Sequence, residues 1–297
     1  MISRSQLFCV LLLSGLSAEI VFPYGGDLSG TGLAALVAAE LIRFLLALPV
    51  LVYSLRGASF YSAIANKNCA AGVVAGITGA LLLLLFAVRT LFYTAEFAQR
   101  TLLGGMSGAV LLILLAGFAV YSAAKGAEAL SRAGVLILAA AVIVTLAVML
   151  ADIPHMRIRT VSEAEYDREF VRQVIERLLS GGEYLAFAAF MPYLKAREGK
   201  KGCGGLGFLF AAASAASAVL VCGFCITALG DFVSIAEYPF VAASQLADIA
   251  VFKRLDGFSG AIWSLAAGMR TAVMLFAAYA AVRHSLPEKT KKERKPA

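Results

Sequence analysis

Long apolar runs separated by short polar segments dominate the chain. We number eight of them as helices 1 to 8, and they cover residues 7–22, 31–54, 69–98, 106–123, 133–151, 184–193, 202–228 and 258–282. A membrane-spanning helix needs about 20 mainly apolar residues, and most of these runs approach or exceed that length. Helices satisfy their own backbone hydrogen bonds inside a bilayer. The pattern therefore predicts an all-α polytopic membrane protein with about eight transmembrane helices.

The spacing of apolar and polar residues changes in the charged stretch 152–177, which precedes helix 6. From Glu169 onward the apolar and polar residues separate onto two sides of a predicted helix. The apolar side holds Phe170, Val171, Val174, Ile175 and Leu178, and the polar side holds Glu169, Arg172, Gln173, Glu176 and Arg177. We expect this amphipathic helix to cover the mouth of a site and to lead into helix 6.

Two adjacent glycines, Gly181 and Gly182, interrupt the chain where helix 6 begins. Glycine adds backbone freedom and offers no side chain for packing, and unwound backbone at membrane depth is tolerated only where it is buried or lines a cavity. A half-helix that begins at Glu183 would direct its free amides and positive dipole end at that cavity. The break is therefore predicted to bind an anionic group.

A second interruption is predicted in helix 1, where Gly15 lies between Ser14 and Ser17. Matching interruptions in the two halves of a chain indicate a transporter-type site built from broken helices. For Gly15 taken alone, close packing against a neighbouring helix explains the residue equally well.

The composition agrees with a membrane protein. The chain has 297 residues, of which 61% are hydrophobic and 15% charged, and its mean hydropathy is +0.84. A soluble protein cannot bury that much apolar surface. Residues 1–6 lead into helix 1 without a small-residue cleavage site, so we expect a first transmembrane helix and not a removed signal peptide.

The net charge of +7 reflects topology and not nucleic-acid binding, because the basic residues lie in short loops and in the tail. The helix count places Arg56, Lys67, Lys125, Arg132, the cluster 195–201 and the tail 285–297 on one side. The segments 152–177 and 231–256, which are balanced or acidic, fall on the other side. An excess of Lys and Arg marks the cytoplasmic side, so both termini are predicted to be cytoplasmic.

Little in the sequence suggests catalysis, a metal or another cofactor. Cys222 and Cys225 form a C-x-x-C pair inside helix 7, but the two histidines, His155 and His284, are distant in sequence. We interpret the cysteines as packing residues. No nucleophile–base pair and no phosphate-binding loop is present, so we expect a protein that is not an enzyme.

Charges at membrane depth each cost about 2.5–3.5 kcal/mol on insertion scales and need partners. Arg270 lies in the middle of helix 8, and its candidate partner is Glu183; a structural ion pair and a ligand-binding role are equally supported. Glu40 and Arg43 are three residues apart and are expected to pair.

Three further charges, Glu19, Arg89 and Glu96, lie in the outer halves of helices 1 and 3. We expect a wet vestibule to solvate them. Trp263, near the outer end of helix 8, is predicted to anchor that helix at the membrane interface.

The order of these motifs resembles the spore germination permease family, the B subunits of endospore germinant receptors, within the amino acid–polyamine–organocation superfamily. The residues that carry the resemblance are Ser5, Gln6, Gly15 and Pro23 in helix 1; Arg89, Thr90, Glu96, Leu102 and Leu103; residues 124–128, Ser131 and Arg132; Gly181, Gly182, Glu183, Pro192 and the basic cluster 195–201; and Tyr238, Pro239, Phe252, Arg254, Leu255, Asp256 and Trp263. The chain departs from the family at Ser17, where a small residue is expected, and in showing eight helices where the family has ten.

The resemblance implies an inverted-repeat fold of the 5+5 type that lacks the last two helices and has helices 1 and 6 broken. Residues 1–151 would form the first repeat with helices 1–5. Residues 152–284 would form an incomplete second repeat with the amphipathic helix and helices 6–8, and residues 285–297 a basic cytoplasmic tail.

The resemblance also implies a function. The protein would lie in the inner membrane of the spore, bind a small germinant, expected to be an amino acid, and signal to the A and C subunits of a germinant receptor; a homo-oligomer is a further expectation. The predicted ligand-binding residues are Gly15, Leu16, Ser17, Arg89, Tyr93, Gly181, Gly182, Glu183, Phe187 and Arg270. A secondary amino-acid transporter is the alternative, because sensor and transporter share a site; the eight-helix count favours the sensor. A relic that inserts in the membrane but has neither activity is the third possibility.

Overall fold

The computed structural model describes residues 1–22, 30–55, 60–156, 166–194, 204–247 and 255–286. In these ranges the chain forms eleven α-helices. They are α1 (Arg4–Val21), α2 (Gly30–Leu55), α3 (Phe60–Lys67), α4 (Cys69–Thr101), α5 (Gly108–Ala124), α6 (Gly126–Ala151), α7 (Arg168–Leu178), α8 (Glu183–Phe190), α9 (Gly204–Leu229), α10 (Pro239–Leu246) and α11 (Asp256–Ser285). Short 3-10 turns follow α6, α8 and α9 at Ile153–His155, Met191–Tyr193 and Gly230–Ser234.

Six helices of the described chain are long and apolar enough to cross a membrane, namely α1, α2, α4, α6, α9 and α11. The apolar helix α5 is shorter, at 17 residues, and α8 is a half-helix of 8 residues. Together these eight elements match the eight predicted runs, and the predicted class of all-α polytopic membrane protein is confirmed. The short helices α3 and α10 were not predicted.

Helix α11 is the central element of the bundle. It packs along α4 over the longest interface and also contacts α1, α5, α6 and α8. Its buried face is rich in small residues that let neighbouring helices approach closely; the fully buried alanines are Ala266, Ala272, Ala277, Ala280 and Ala281. This central position brings Arg270 of α11 next to both halves of the chain.

The predicted interruption of helix 1 is wrong, because α1 is continuous over Arg4–Val21. A glycine inside a helix costs only about 0.5–1 kcal/mol, which packing can offset. A Cβ at Gly15 would lie 3.3 Å from the Ser214 hydroxyl of α9. Gly15 therefore allows close approach of α9, which agrees with the alternative prediction that this glycine packs against a neighbouring helix.

The predicted break in helix 6 is confirmed. Helix α7 ends at Leu178 and α8 begins at Glu183, with Gly182 between them at φ 147°. An L side chain rarely adopts this conformation. A Cβ at Gly182 would also lie 2.7 Å from the ring of Phe86 and 3.2 Å from Met274. Both the backbone and the surroundings of this turn therefore require glycine.

The amphipathic helix is present as α7, but its polar side is not simply solvated. Val174 packs with Ala35 and Ala39 of α2, as the apolar face predicts. Arg177 is nevertheless buried, whereas Ile175 from the predicted apolar side is half exposed. The helix is rotated toward the bundle because Arg177 finds a buried carboxylate there, as described below.

The chain segments predicted to share one side do lie together. The terminal ammonium of Met1 donates to Glu128 at 3.2 Å, and the Ile2 amide donates to the Tyr193 carbonyl at 3.0 Å. The ring of Tyr193 in turn lies 5.4 Å from that of His284. The N-terminus, the start of α6, the end of α8 and the end of α11 therefore meet at one end of the bundle.

At the other end of α4, Arg100 binds Glu237. The segment before α10 therefore lies on the opposite side of the bundle, as the predicted number of helices requires. Trp263 does not lie at an exposed interface, however. Its side chain is 1% exposed and its ring packs edge-on against Phe240 at 6.2 Å. The unpredicted helix α10 covers this tryptophan, which corrects the interface-anchor interpretation.

Some predicted features lie outside the described residues. They are Pro23, Arg56, the basic cluster 195–201, Phe252, Arg254 and the tail from 287 onward.

Candidate functional site

A buried ion pair joins the break before α8 to the middle of α11. Arg270 is 1% exposed and Glu183 is 6% exposed, and their Nη1 and Oε1 atoms lie 2.8 Å apart. The predicted pairing of these two residues is confirmed. Removing two charges from water is costly, so the surroundings must supply further hydrogen bonds.

The remaining partners of this pair come from two backbone segments. The Arg270 Nη1 group donates to the Ser14 carbonyl of α1 at 2.8 Å, and Nη2 donates to the Ser180 carbonyl. The Ser14 hydroxyl donates to Glu183 Oε1 at 3.4 Å. The guanidinium therefore ties α11 to α1 and to the turn before α8.

The predicted site residue Ser17 takes part only indirectly. It is fully buried, and its hydroxyl donates to the Ser14 carbonyl at 2.8 Å. That carbonyl thus accepts from both Ser17 and Arg270, and the short Ser14–Ser17 segment presents an acceptor to the site although its helix is unbroken.

Ser180 lies where two arginines meet. Its carbonyl accepts from Arg270, and its hydroxyl accepts from Arg43 Nη2 at 2.6 Å. Arg43 also donates to the Arg177 carbonyl at the end of α7. The carbonyls left free where α7 ends are thus satisfied by cations, which suits the negative end of the helix dipole.

Arg43 is also the centre of a second buried cluster. Its pairing with Glu40, predicted from their spacing, is confirmed. Its Nη1 group lies 3.8 Å from Glu19 Oε1, and Glu19 accepts from Arg177 at 3.3 Å. The expectation that Glu19 is solvated in a wet vestibule is therefore wrong, because this residue is buried between two arginines of α2 and α7.

The ring of Phe22 connects Arg89 and Tyr93 to Arg270. The ring of Phe22 lies 4.8 Å from that of Tyr93. The Arg89 guanidinium lies 5.7 Å from the Phe22 ring and 5.3 Å from the Tyr93 ring, and the Arg270 guanidinium lies 5.5 Å from Phe22. Cation–π attraction of this kind stabilises desolvated arginines, so Phe22 lies between the two cations.

Glu96 is further out and belongs to the rim of the bundle. It pairs with Arg100 at 2.7 Å, and both side chains are well exposed. The expectation that water solvates Glu96 holds for this residue.

The structure does not bring all predicted residues to the ion pair. Gly15 faces Ser214 of α9, and Leu16 is partly buried against the general core. Phe187 is fully buried, and its ring lies against Gly207, where an added Cβ would meet it at 3.3 Å. Gly181 lies beside Arg43, whose Nε atom would be 3.2 Å from an added Cβ.

Sequence reasoning missed three participants. Ser14 lies in the segment where the interruption of helix 1 was predicted. Its position one helical turn before Ser17 could have identified it as a partner of that residue. Arg43 was noticed for its charge at membrane depth, but its contact with Ser180 spans 137 residues of sequence. Phe22 carries no polar group, and nothing in its sequence surroundings marks it.

Helix α8 begins without a side-chain cap at Gly182. The first amides of any helix have no partner within the helix, and here the first residue, Glu183, is itself a member of the buried pair. Formal charges around the break balance, because Arg43, Arg177 and Arg270 face Glu19, Glu40 and Glu183. The arrangement can offer amide donors to an anion and carbonyl or carboxylate acceptors to a cation.

Cys222 and Cys225 are buried, free thiols. Among the residues that the structure describes, no group of three or more His, Cys, Asp or Glu side chains could hold a metal ion.

A comparison with protein families gives one match. The family model described as spore germination protein matches residues 60–293, which include α3 to α11 and therefore the break and Arg270. No curated protein matches the chain.

Proposed function

The chain belongs to the spore germination protein family, and from this premise we propose that it is the membrane subunit of a germinant receptor. It is a multi-pass, permease-like membrane protein related to germination. In the proposed role it binds a small germinant, an amino acid, at the turn between α7 and α8 and signals to the A and C subunits of the receptor.

One observation carries the proposal. The uncapped start of α8 lies directly beside the buried pair of Arg270 and Glu183. Broken helices whose half-helix N-termini face an anionic substrate group are the usual binding device of secondary-transporter folds. Arg270 belongs to α11 and contacts Ser14 of α1. It therefore connects the start of α8 to the two helices that a bound ligand would have to influence.

The charges at the break suit an amino acid. Three arginines and three glutamates already pair with one another there, and Arg89, whose guanidinium lies 5.7 Å from the Phe22 ring, adds a positive charge nearby. An amino acid adds no net charge at membrane depth, where an unpaired charge is costly. Its carboxylate suits the amides of α8, and its ammonium suits the carboxylate of Glu183.

Signalling requires that the ligand bind one conformation more tightly than another. An ammonium that contacts Glu183 competes with Arg270 for the same carboxylate. Arg270 would then shift toward the carbonyls of Ser14 and Ser180, and α1 and α11 would repack. Partner subunits that contact α1 or α11 would respond to this repacking.

The topology and the repeats belong to the same proposal. Residues 1–151 and 152–284 would be the two inverted repeats, and both termini would face the cytoplasm from the inner membrane of the spore. The meeting of the N-terminus, the α6 start and the α11 end at one side supports this orientation.

A germination assay tests the proposed function. A strain that lacks this gene, complemented with the wild-type chain, is exposed to single amino acids and, as a comparison class, single nucleosides. We expect an amino acid response that returns with the wild-type chain. Responses to nucleosides alone would contradict the ligand class. Ion-coupled accumulation of a labelled amino acid in liposomes that contain only this chain would favour the transporter alternative.

A further inference from the structure

A cavity of about 490 Å³ opens at the end of the bundle where the N-terminus and the end of α11 meet. Its walls come from the α5–α6 turn, the 3-10 turn after α8 and the last three turns of α11. The lining residues are Ala123, Ala124, Gly126, Ala127, Tyr193, Leu275, Phe276, Tyr279 and Arg283. The proposed germinant site uses none of them.

The polar groups of this cavity all favour an anion. Arg283 is exposed, and its Nη1 group donates to the Tyr279 hydroxyl at 3.3 Å. The hydroxyl of Tyr193 is buried and has no hydrogen-bond partner among the described residues. A guanidinium and two phenolic hydroxyls are therefore directed at one space, and no lining residue of the cavity is acidic.

The α5–α6 turn forms the backbone part of the cavity wall. Gly126 and Ala127, at the start of α6, line the cavity together with Ala123 and Ala124, at the end of α5. The positive dipole end of α6 and the negative dipole end of α5 meet here and offset each other, so the preference for an anion comes from Arg283 and the two tyrosines. Glu128 lies in the same turn, but its carboxylate is occupied by the Met1 ammonium and by Arg132.

The opposite wall of the cavity is apolar and aromatic. The rings of Tyr193 and Phe276 lie 5.2 Å apart, and Phe276 and Tyr279 lie 6.3 Å apart. Tyrosines beside an arginine at the end of a span are typical of the membrane–water boundary. A ligand here would meet anion-binding groups at the boundary and, beside them, the apolar side chains of Leu275 and Phe276.

We propose that this cavity binds the phosphate headgroup of an anionic phospholipid, with an acyl chain along Leu275 and Phe276. Basic pockets between membrane helices bind lipid headgroups in this way. The lipid would join the α5–α6 turn to the end of α11. Free phosphate offers the same oxygens but lacks the acyl chain that the apolar wall would hold.

The test uses the full-length protein purified into nanodiscs of phosphatidylcholine, with and without phosphatidylglycerol. Thermal unfolding is measured for the wild type, for Arg283→Gln and for the matched control Arg172→Gln. Arg172 is an exposed arginine of α7 that pairs with Glu169 and lies outside the cavity lining. A third variant, Ala124→Leu, fills the cavity without changing any charge.

We expect phosphatidylglycerol to raise the Tm of the wild type and of Arg172→Gln, because a ligand of the folded state stabilises it. Arg283→Gln should weaken the apparent lipid affinity about fivefold or more, the value for loss of one cation at a membrane surface. Ala124→Leu should also lose the effect. Native mass spectrometry should show fewer retained phosphatidylglycerol molecules in both variants.

Three results would overturn the proposal. The first is an equal phosphatidylglycerol effect in the wild type and in Arg283→Gln, and the second is an equal loss in Arg283→Gln and Arg172→Gln. The third is full stabilisation by inorganic phosphate in neutral nanodiscs, which would assign the cavity to a soluble anion. None of these results bears on the germinant site.

Discussion

A guanidinium in the middle of a membrane helix must find its partners inside the protein, and Arg270 finds three. They are the Glu183 carboxylate and the backbone carbonyls of Ser14 and Ser180. The carboxylate supplies the counter-charge, and the carbonyls accept from Nη1 and Nη2, while the buried Nε group has no hydrogen-bond partner among the described residues. Because these partners belong to three separate segments, the charge of one residue holds together α1, the break and α11.

Replacing Glu183 with glutamine should destabilise the protein strongly. The substitution leaves the buried Arg270 without its counter-charge, and breaking a buried pair in this way typically costs about 3–5 kcal/mol. Thermal unfolding of the purified variant in mild detergent measures the loss. Adding Arg270→Met to this variant removes the unpaired charge and should restore part of the stability.

The matched control is Arg132→Gln, which breaks an exposed pair with Glu128. Exposed pairs contribute about 0–1 kcal/mol, so this variant should unfold close to the wild-type temperature. Equal losses in Glu183→Gln and Arg132→Gln, or a double variant no more stable than Glu183→Gln, would refute the role of the buried pair.

At the scale of elements, the turn between α7 and α8 depends on the glycine at its end. Replacing Gly182 with valine should abolish the germination response. The added side chain would have to adopt φ 147° and would collide with Phe86, and a strained residue of this kind costs about 1–3 kcal/mol. The assay is germination of spores that carry the variant, with protein abundance measured in parallel.

Gly223 of α9 is the control position, because an added Cβ there meets nothing within 4 Å. Gly223→Ala should leave both response and abundance unchanged or slightly improved, since alanine is the better helix former by about 0.5–1 kcal/mol. A normal response in Gly182→Val spores would place the ligand somewhere other than the break.

The difference between helices 1 and 6 shows which features a sequence can predict. Two adjacent glycines before Glu183 disfavour a continuous helix because of their backbone freedom, so the break in helix 6 was predictable. A single glycine at position 15 costs little, so α1 continues through it, and only the position of Ser214 on α9 shows why a glycine is needed there. Packing partners far apart in sequence supply that information.

The same limit applies to the candidate site. The pairing of Arg270 with Glu183 was predictable, because a charge deep in a span needs a partner and few were available. The contact of Arg43 with Ser180 and the burial of Glu19 by Arg177 were not. They depend on how α7 rotates against α2, which the amphipathic pattern of α7 alone does not determine.

At the scale of the whole molecule, the two ends of the bundle carry different chain segments, and this predicts its orientation. Cys69 is an exposed native thiol at the start of α4, on the side where the N-terminus lies. Glu237, which binds Arg100 at the end of α4, marks the opposite side. The excess of basic loops predicts that the Cys69 side is cytoplasmic.

Thiol labelling tests this orientation. In a variant that keeps Cys69 as its single cysteine, a membrane-impermeant reagent added outside intact cells should not react until the membrane is permeabilised. In the matched variant whose single cysteine is Glu237→Cys, the same reagent should react at once. The reverse pattern would place the termini outside.

The central claim is that an amino acid binds at the start of α8, and hydrogen exchange tests it most directly. The purified wild-type protein in nanodiscs is compared with and without the amino acid that triggers the strongest germination response. Amides 183–185 lie in the first turn of α8 and exchange readily when they have no partner. The account predicts that the ligand slows their exchange. Unchanged exchange at these amides, with slowing elsewhere in the chain, would contradict it.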